Sequence, residues 1–226
     1  RAAFEPQSQT LFTCYAAANG IRVRTSRDFG NSWGTSVLQL TGAAPMDGGP
    51  TEFIRECAIA PWQPGQAMVT AVSSDAVLLW VVTAELEVVG QNPQVVYASS
   101  TEYYAPREPA IATLPSEGIV HVIFTATRDL SVGGTDTDIV GMYRDGTTGG
   151  NFVGKTEGGP KLVGPSNAFK QSSPTVVVDP VTQRAVAAWV ASESPTGGLL
   201  TDTVYLGMFV KKQSALAHTW ASGSDL

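Results

Sequence analysis

The 226-residue chain is short of charge: Asp, Glu, Lys and Arg make up 15% of it, against roughly 25% in an average soluble domain. It holds two cysteines and two histidines. Cys14 and Cys57 form no CxxC, and His121 and His218 stand far apart, so no zinc spacing exists. Clusters of basic residues are missing too. Lys211-Lys212 is the one basic pair after Arg22, Arg24 and Arg27, and the net charge is −6, which argues against nucleic acid as a partner. The longest apolar run, Ala76 to Ala84, is too short to span a bilayer. No basic-then-apolar leader opens the chain, so a secretion signal is expected to have been removed or never to have been there. Helical periodicity of 3.6 residues is absent throughout.

What is present is the chemistry of strands and turns. Gly 23, Pro 14 and a hydrophobic content of 43% predict an all-β protein with a buried core and many turns. The Ser/Thr/Gly-rich composition points to an exported protein: extracellular, cell-surface or periplasmic. Either one Cys14–Cys57 disulfide or two buried thiols fits the cysteine count.

Internal repetition organises the chain. Arg55-Glu56-Cys57-Ala58-Ile59-Ala60 is echoed by Arg107-Glu108-Pro109-Ala110-Ile111-Ala112, and each leads into a strand, a Pro/Gly turn and a second strand. A third copy starts at Ser172. A fourth opens the chain at Ala2, with Glu5-Pro6 in the place of Asp179-Pro180. Third strands follow at Ile21, Val77, Asp138 and Thr203, and weaker fourth strands at Trp33, Val95, Asn151 and His218. Four strands per repeat of about 50 residues is the pattern of a β-propeller blade. Four blades are expected, at roughly 1–46, 51–100, 107–165 and 171–226 of a single propeller domain. A β-sandwich would not require the strand-turn-strand unit to recur in register.

Between the third and fourth strands of the first repeat lies Ser26-Arg27-Asp28-Phe29-Gly30-Asn31-Ser32-Trp33. The segment resembles the Asp-box of the sialidase-like, or BNR-repeat, β-propellers, with Ser26, Asp28, Gly30, Ser32 and Trp33 at the constrained positions. Gly30 suits a backbone shape that residues with a Cβ avoid, and Asp28 suits turn amides that lack a ladder partner. The resemblance implies a structural role on the propeller face opposite the ligand site. A looser copy spans Tyr143 to Phe152. Sialidase-like propellers have five or more blades, so the resemblance also implies further blades, from a missing portion of the chain or from other chains.

The resemblance places the starts of first strands, Arg55-Glu56 and Arg107-Glu108, at the axis mouth. Two arginines there suit a carboxylate, but internal Arg–Glu pairing is the favoured expectation. Tyr103 and Tyr104 are candidate nucleophiles by residue type. Asp136, Asp138 and Asp202, in two Thr-Asp-Thr loops, are weak candidates for Ca²⁺; ordinary Asx turns are favoured, and no cofactor is expected. The sialidase set needs three arginines, a Tyr–Glu nucleophile and an acid, and this chain matches it incompletely. The expected function is therefore a non-enzymatic binding module with a protein or glycan partner. The alternatives are a sialidase-like glycoside hydrolase, or a fragment of one, and a structural subunit of a larger assembly.

Overall fold

The computed structural model describes residues 1–18, 20–41, 54–90, 93–129, 135–145, 151–152, 161–162, 170–193, 201–210 and 219–222. Its strands form four four-stranded antiparallel sheets in two compact units, Arg1–Ala98 and Ser99–Leu226.

In the first unit, β1 (Ala2–Glu5), β2 (Thr10–Ala17), β3 (Gly20–Ser26) and β4 (Leu38–Leu40) pair in chain order. Alternation decides the faces: Phe12, Cys14 and Val23 turn inward, while Tyr15 and Arg22 stay exposed. The β2–β3 turn needs Gly20. Its φ is +132°, and a Cβ there would meet the Leu40 carbonyl oxygen at 2.3 Å. The second sheet is β5 (Glu56–Pro61), β6 (Gln66–Val72), β7 (Ala76–Thr83) and β8 (Gln94–Ala98). Ile59, Val69, Ala71 and Trp80 of this sheet share one core with Phe12 and Val23 of the first. Full burial of a side chain such as Val69 or Phe12 contributes roughly 1.5–3 kcal/mol. A disulfide between Cys14 on β2 and Cys57 on β5 ties the two sheets.

The second unit repeats the plan with longer strands: β9 (Tyr104–Leu114), β10 (Ile119–Asp129), β11 (Thr135–Arg144) and β12 (Lys161–Leu162), then β13 (Lys170–Val178), β14 (Ala185–Glu193), β15 (Thr201–Val210) and β16 (Thr219–Ser222). Trp189, Ala187 and Val176 of the last sheet pack on Ile123, Ile139 and Ala112 of the one before it. One expectation is corrected. The fourth strand of the third repeat is not at Asn151 but at Lys161–Leu162, because Leu162 and Lys161 supply the partners of Val140 and Gly141 on β11. The glycines of the looser Tyr143–Phe152 copy lie outside the described residues.

First strands of this unit are broken by proline bulges. Ala105 (φ 47°), Glu108 (φ 52°) and Ser173 (φ 54°) each precede a proline and each lies where the ladder skips a residue. Proline has no N–H to offer a ladder, so a bulge is where a strand tolerates it.

Candidate functional site

The carboxylate of Asp28 closes a turn rather than facing a ligand. It accepts hydrogen bonds from the Ser26 hydroxyl (2.7 Å), the Ser32 N–H (2.8 Å) and the Ser32 hydroxyl (2.5 Å). The Gly30 N–H donates to Ser26 Oγ at 2.9 Å, with Gly30 at φ +88° beside the Trp33 ring. Ser32 first, then Ser26, holds the Asp28 carboxyl down at about 2. Glu5 does similar work and was not singled out by its sequence. It accepts from the Gln7, Ser8 and Gly65 N–H groups at 2.8, 2.8 and 2.9 Å and from the Ser8 hydroxyl. Burial works against the charge, but these donors outweigh it and bring the carboxyl down to about 2. Its counterpart Asp179 accepts from the Val181 and Thr182 N–H groups. The signal was the shared acid-proline pair.

In the second unit a cavity of about 420 Å³ is lined by Arg107 and Glu108 of β9, Thr127 of β10, Thr135 and Thr137 of β11, Lys170, Gln171 and Ser172 of β13 and Ser192 of β14. Sequence reasoning had singled out only Arg107 and Glu108 of these. Arg107 and Glu108 do not pair with each other. Glu108 Oε2 instead accepts from the Thr125 hydroxyl at 2.9 Å and from the Ser173 N–H at 2.7 Å. The bulge at Ser173 removes that N–H from the ladder, and Glu108 of the neighbouring sheet satisfies it. The joint is reinforced by Gln171, which is buried. Its main-chain oxygen accepts from the Thr137 hydroxyl (3.0 Å) and its Oε1 from the Ile139 N–H (3.2 Å).

On the other face of β11, at alternate positions, lie two buried carboxyls. Arg128 stands across from them on β10, with Nε 3.3 Å from Asp138 Oδ2 and a terminal nitrogen 3.8 Å from Asp136 Oδ2. Burial raises both carboxyls. Asp138 is pushed up to about 6, burial being partly offset by Arg128 and reinforced by Asp136. Tyr103 is buried against Asp138 and its hydroxyl is pushed up to about 12, by burial first and by that carboxylate second. The calcium candidates Asp136 and Asp138 therefore have an arginine as their cation. Among the described residues no group of three His, Cys, Asp or Glu is placed to hold a metal. The side chain of Asp202, on β15, lies outside the described residues.

The remaining candidates separate. Tyr104 donates to Asp129 at 2.6 Å on the exposed rim. Arg55 and Glu56 belong to the first unit and Arg107 and Glu108 to the second. Arg55 is exposed, and its main chain continues the ladder to Val72. Among the described residues neither arginine is in an ion pair with its neighbouring glutamate, so the expectation of internal Arg–Glu pairing is corrected. Glu108 is instead held by the Thr125 hydroxyl and the Ser173 N–H.

No protein-family model and no curated protein sequence matches the chain. Solved structures do. An α-L-arabinanase from Cellvibrio cellulosa matches at 12% identity and a TM-score of 0.54, over 98% of this chain and 76% of the other. An α-L-arabinofuranosidase from Clostridium thermocellum matches at 13% identity and TM-score 0.54, over 98% and 70%. The catalytic domain of a Coprinopsis cinerea α-L-arabinofuranosidase matches at 11% and 0.52, over 90% and 69%. The fold is a β-propeller. At this identity the likeness concerns the fold alone. The sialidase-like expectation thus holds at the level of the propeller scaffold, since these neighbours are named for arabinose-containing substrates.

Proposed function

We propose that this β-propeller acts on glycans, as a glycoside hydrolase, with the second-unit cavity as its sugar site. The observation that carries the reading is the cavity itself: the hydroxyl-bearing residues Thr127, Thr135, Ser172 and Ser192 line one concave surface with Arg107 and Lys170. Sugars are recognised by such convergent polar groups. The scaffold's likeness to propellers named as arabinanases and arabinofuranosidases supports the same class. Glu108 is the carboxyl that lines the cavity.

The test is release of reducing ends from arabinan, arabino-oligosaccharides, aryl arabinofuranosides and sialyllactose. Turnover of a glycan that is lost in Glu108→Gln supports the proposal. Binding without turnover would leave the second reading, a glycan-binding module. One observation favours that reading: Glu108, the carboxylate lining the cavity, has an oxygen committed to Thr125 and Ser173. A sialidase-like specificity, the alternative that the family resemblance raised, is the finer variant, and the sialyllactose arm decides it. The Cys14–Cys57 disulfide supports export, since disulfides persist in oxidising compartments. No helix among the described residues is long and apolar enough to cross a membrane.

A further inference from the structure

The last sheet of the second unit is apolar on both faces. From Ala185 to Ala191, β14 is an unbroken run of Ala, Val and Trp, although its positions alternate between two faces. One face is accounted for: Val176, Ala187 and Trp189 pack on Ile123 and Ile139 of the neighbouring sheet. On the other face the register sets Val177 against Val186, Ala188 against Leu206 and Val190 against Val204. These pairs run across β13, β14 and β15 without a charge among them. Val177, Val204 and Leu206 are 62%, 70% and 55% exposed. An antiparallel sheet with one face in water alternates apolar with polar residues, and monomers rarely leave a contiguous apolar patch uncovered. The neighbouring sheet differs: its β10 is buried at every position from Ile119 to Ala126. A sheet of this unit can thus be covered on both faces, and the last one is covered on one.

We infer that a further antiparallel β-sheet, from polypeptide of the same protein outside residues 1–226, packs on this face of β13–β15. Three observations choose that occupant. A face of Val, Leu and Ala side chains offers no hydrogen bond or charge to a glycan, a nucleic acid or a charged peptide. Rows of aliphatic side chains at strand spacing match the inner face of another sheet, as the opposite face of the same strands demonstrates. The solved propellers that match 98% of this chain are themselves matched over 76% and 70% of their length, which leaves them about one more four-stranded sheet than the four of this chain. The face also runs toward the cavity. The pair beyond Val190–Val204 is Ser192–Asp202, and Ser192 lines the cavity. The covering sheet therefore stands beside the proposed sugar site, a consequence that rests on the glycan reading; the packing itself does not.

Carbene footprinting tests the inference on the 226-residue chain alone and on the natural protein isolated from its source. In the chain alone, Val177, Val204 and Leu206 should label strongly. In the natural protein their labelling should fall about fivefold or more, the ratio between their exposure here and that of a core residue. Val181, 88% exposed in the turn between β13 and β14, should label equally in both. A photo-crosslinking leucine analogue in place of Leu206 then identifies the occupant, and the expected cross-link is to a strand of the same protein outside residues 1–226. Leu206→Lys gives a second readout: the chain alone should melt within about 2 °C of wild type, and the natural protein about 4 °C or more below it. Equal labelling of the three residues in both forms overturns the inference, as does a natural protein that consists of these 226 residues and is monomeric. A cross-link to residues 1–226, of the same or a second copy, or to a separate protein, also overturns it. Glycan turnover is measured apart from all of these, so failure of the glycan reading leaves the packing result unchanged.

Discussion

Glu5 offers a sharp test of how the first unit is held. Its carboxylate, 3% exposed, gathers three N–H groups and a hydroxyl from two separate turns, one at Gln7–Ser8 and one at Gly65. Glu5→Gln keeps the shape but removes the charge, and it points an amide N–H₂ toward donors. A carboxyl that falls from 4.5 to about 2 on folding contributes about 3 kcal/mol at neutral pH. For a chain of this length that corresponds to a melting temperature lower by roughly 6–12 °C. The sign follows from the depressed value. The contribution is fully present above the unfolded value of 4.5 and is lost as pH falls toward about 2. Urea unfolding of wild type and Glu5→Gln, followed by tryptophan fluorescence at pH 7 and pH 2.5, reads both quantities. The variant should be less stable by about 3 kcal/mol at pH 7, with most of that gap closed at the lower pH. A gap that is absent at pH 7, or unchanged at pH 2.5, would refute the charge-clamp reasoning.

Other consequences are as direct. Cys14 and Cys57 are 43 residues apart, so Cys57→Ala should cost the first unit about 4 kcal/mol on the chain-entropy account, measurable by urea unfolding with and without reductant. Trp189 is fully buried in the core of the second unit. Trp189→Ala should cost about 3–5 kcal/mol, with the loss of amide-exchange protection concentrated in Ser99–Leu226. Asp138 titrates in the opposite sense to Glu5. Its folded value of about 6 lies above the ordinary 3.8, so the native state holds the extra proton and stability falls as pH rises between those values, by on the order of 2–3 kcal/mol. Asp138→Asn should lack that descent, and an identical pH profile in wild type and variant would contradict the burial of that charge.

What the sequence revealed follows from the range of the interactions. The Asp28 turn was legible because each of its partners lies within four residues, so spacing alone fixes who can reach whom. The matched strand-turn-strand units were legible because alternation is local too. The roles of Glu108 and Asp136 were not. Glu108 serves an N–H that is orphaned 65 residues later, and Asp136 meets its arginine only through the cross-strand register that sets Arg128 opposite it. A signal for the first did exist: the alignment puts Glu108-Pro109 level with Ser173-Pro174, and paired X-Pro positions in strands mark paired bulges. The misplaced fourth strand near Asn151 has a similar cause. Phe152 carries strand propensity, but its ring is used over the Arg144 guanidinium, 5.2 Å from its carbon. The strand goes to the segment whose residues complete the ladder of β11.

The central claim is that glycans bind in the second-unit cavity. Amide chemical-shift mapping with the oligosaccharide that binds best tests it most directly. The account predicts shifts at Arg107–Glu108, Thr135–Thr137, Lys170–Ser172 and Ser192, saturating together. Shifts gathered on the first unit, or none in those segments at saturation, would contradict it.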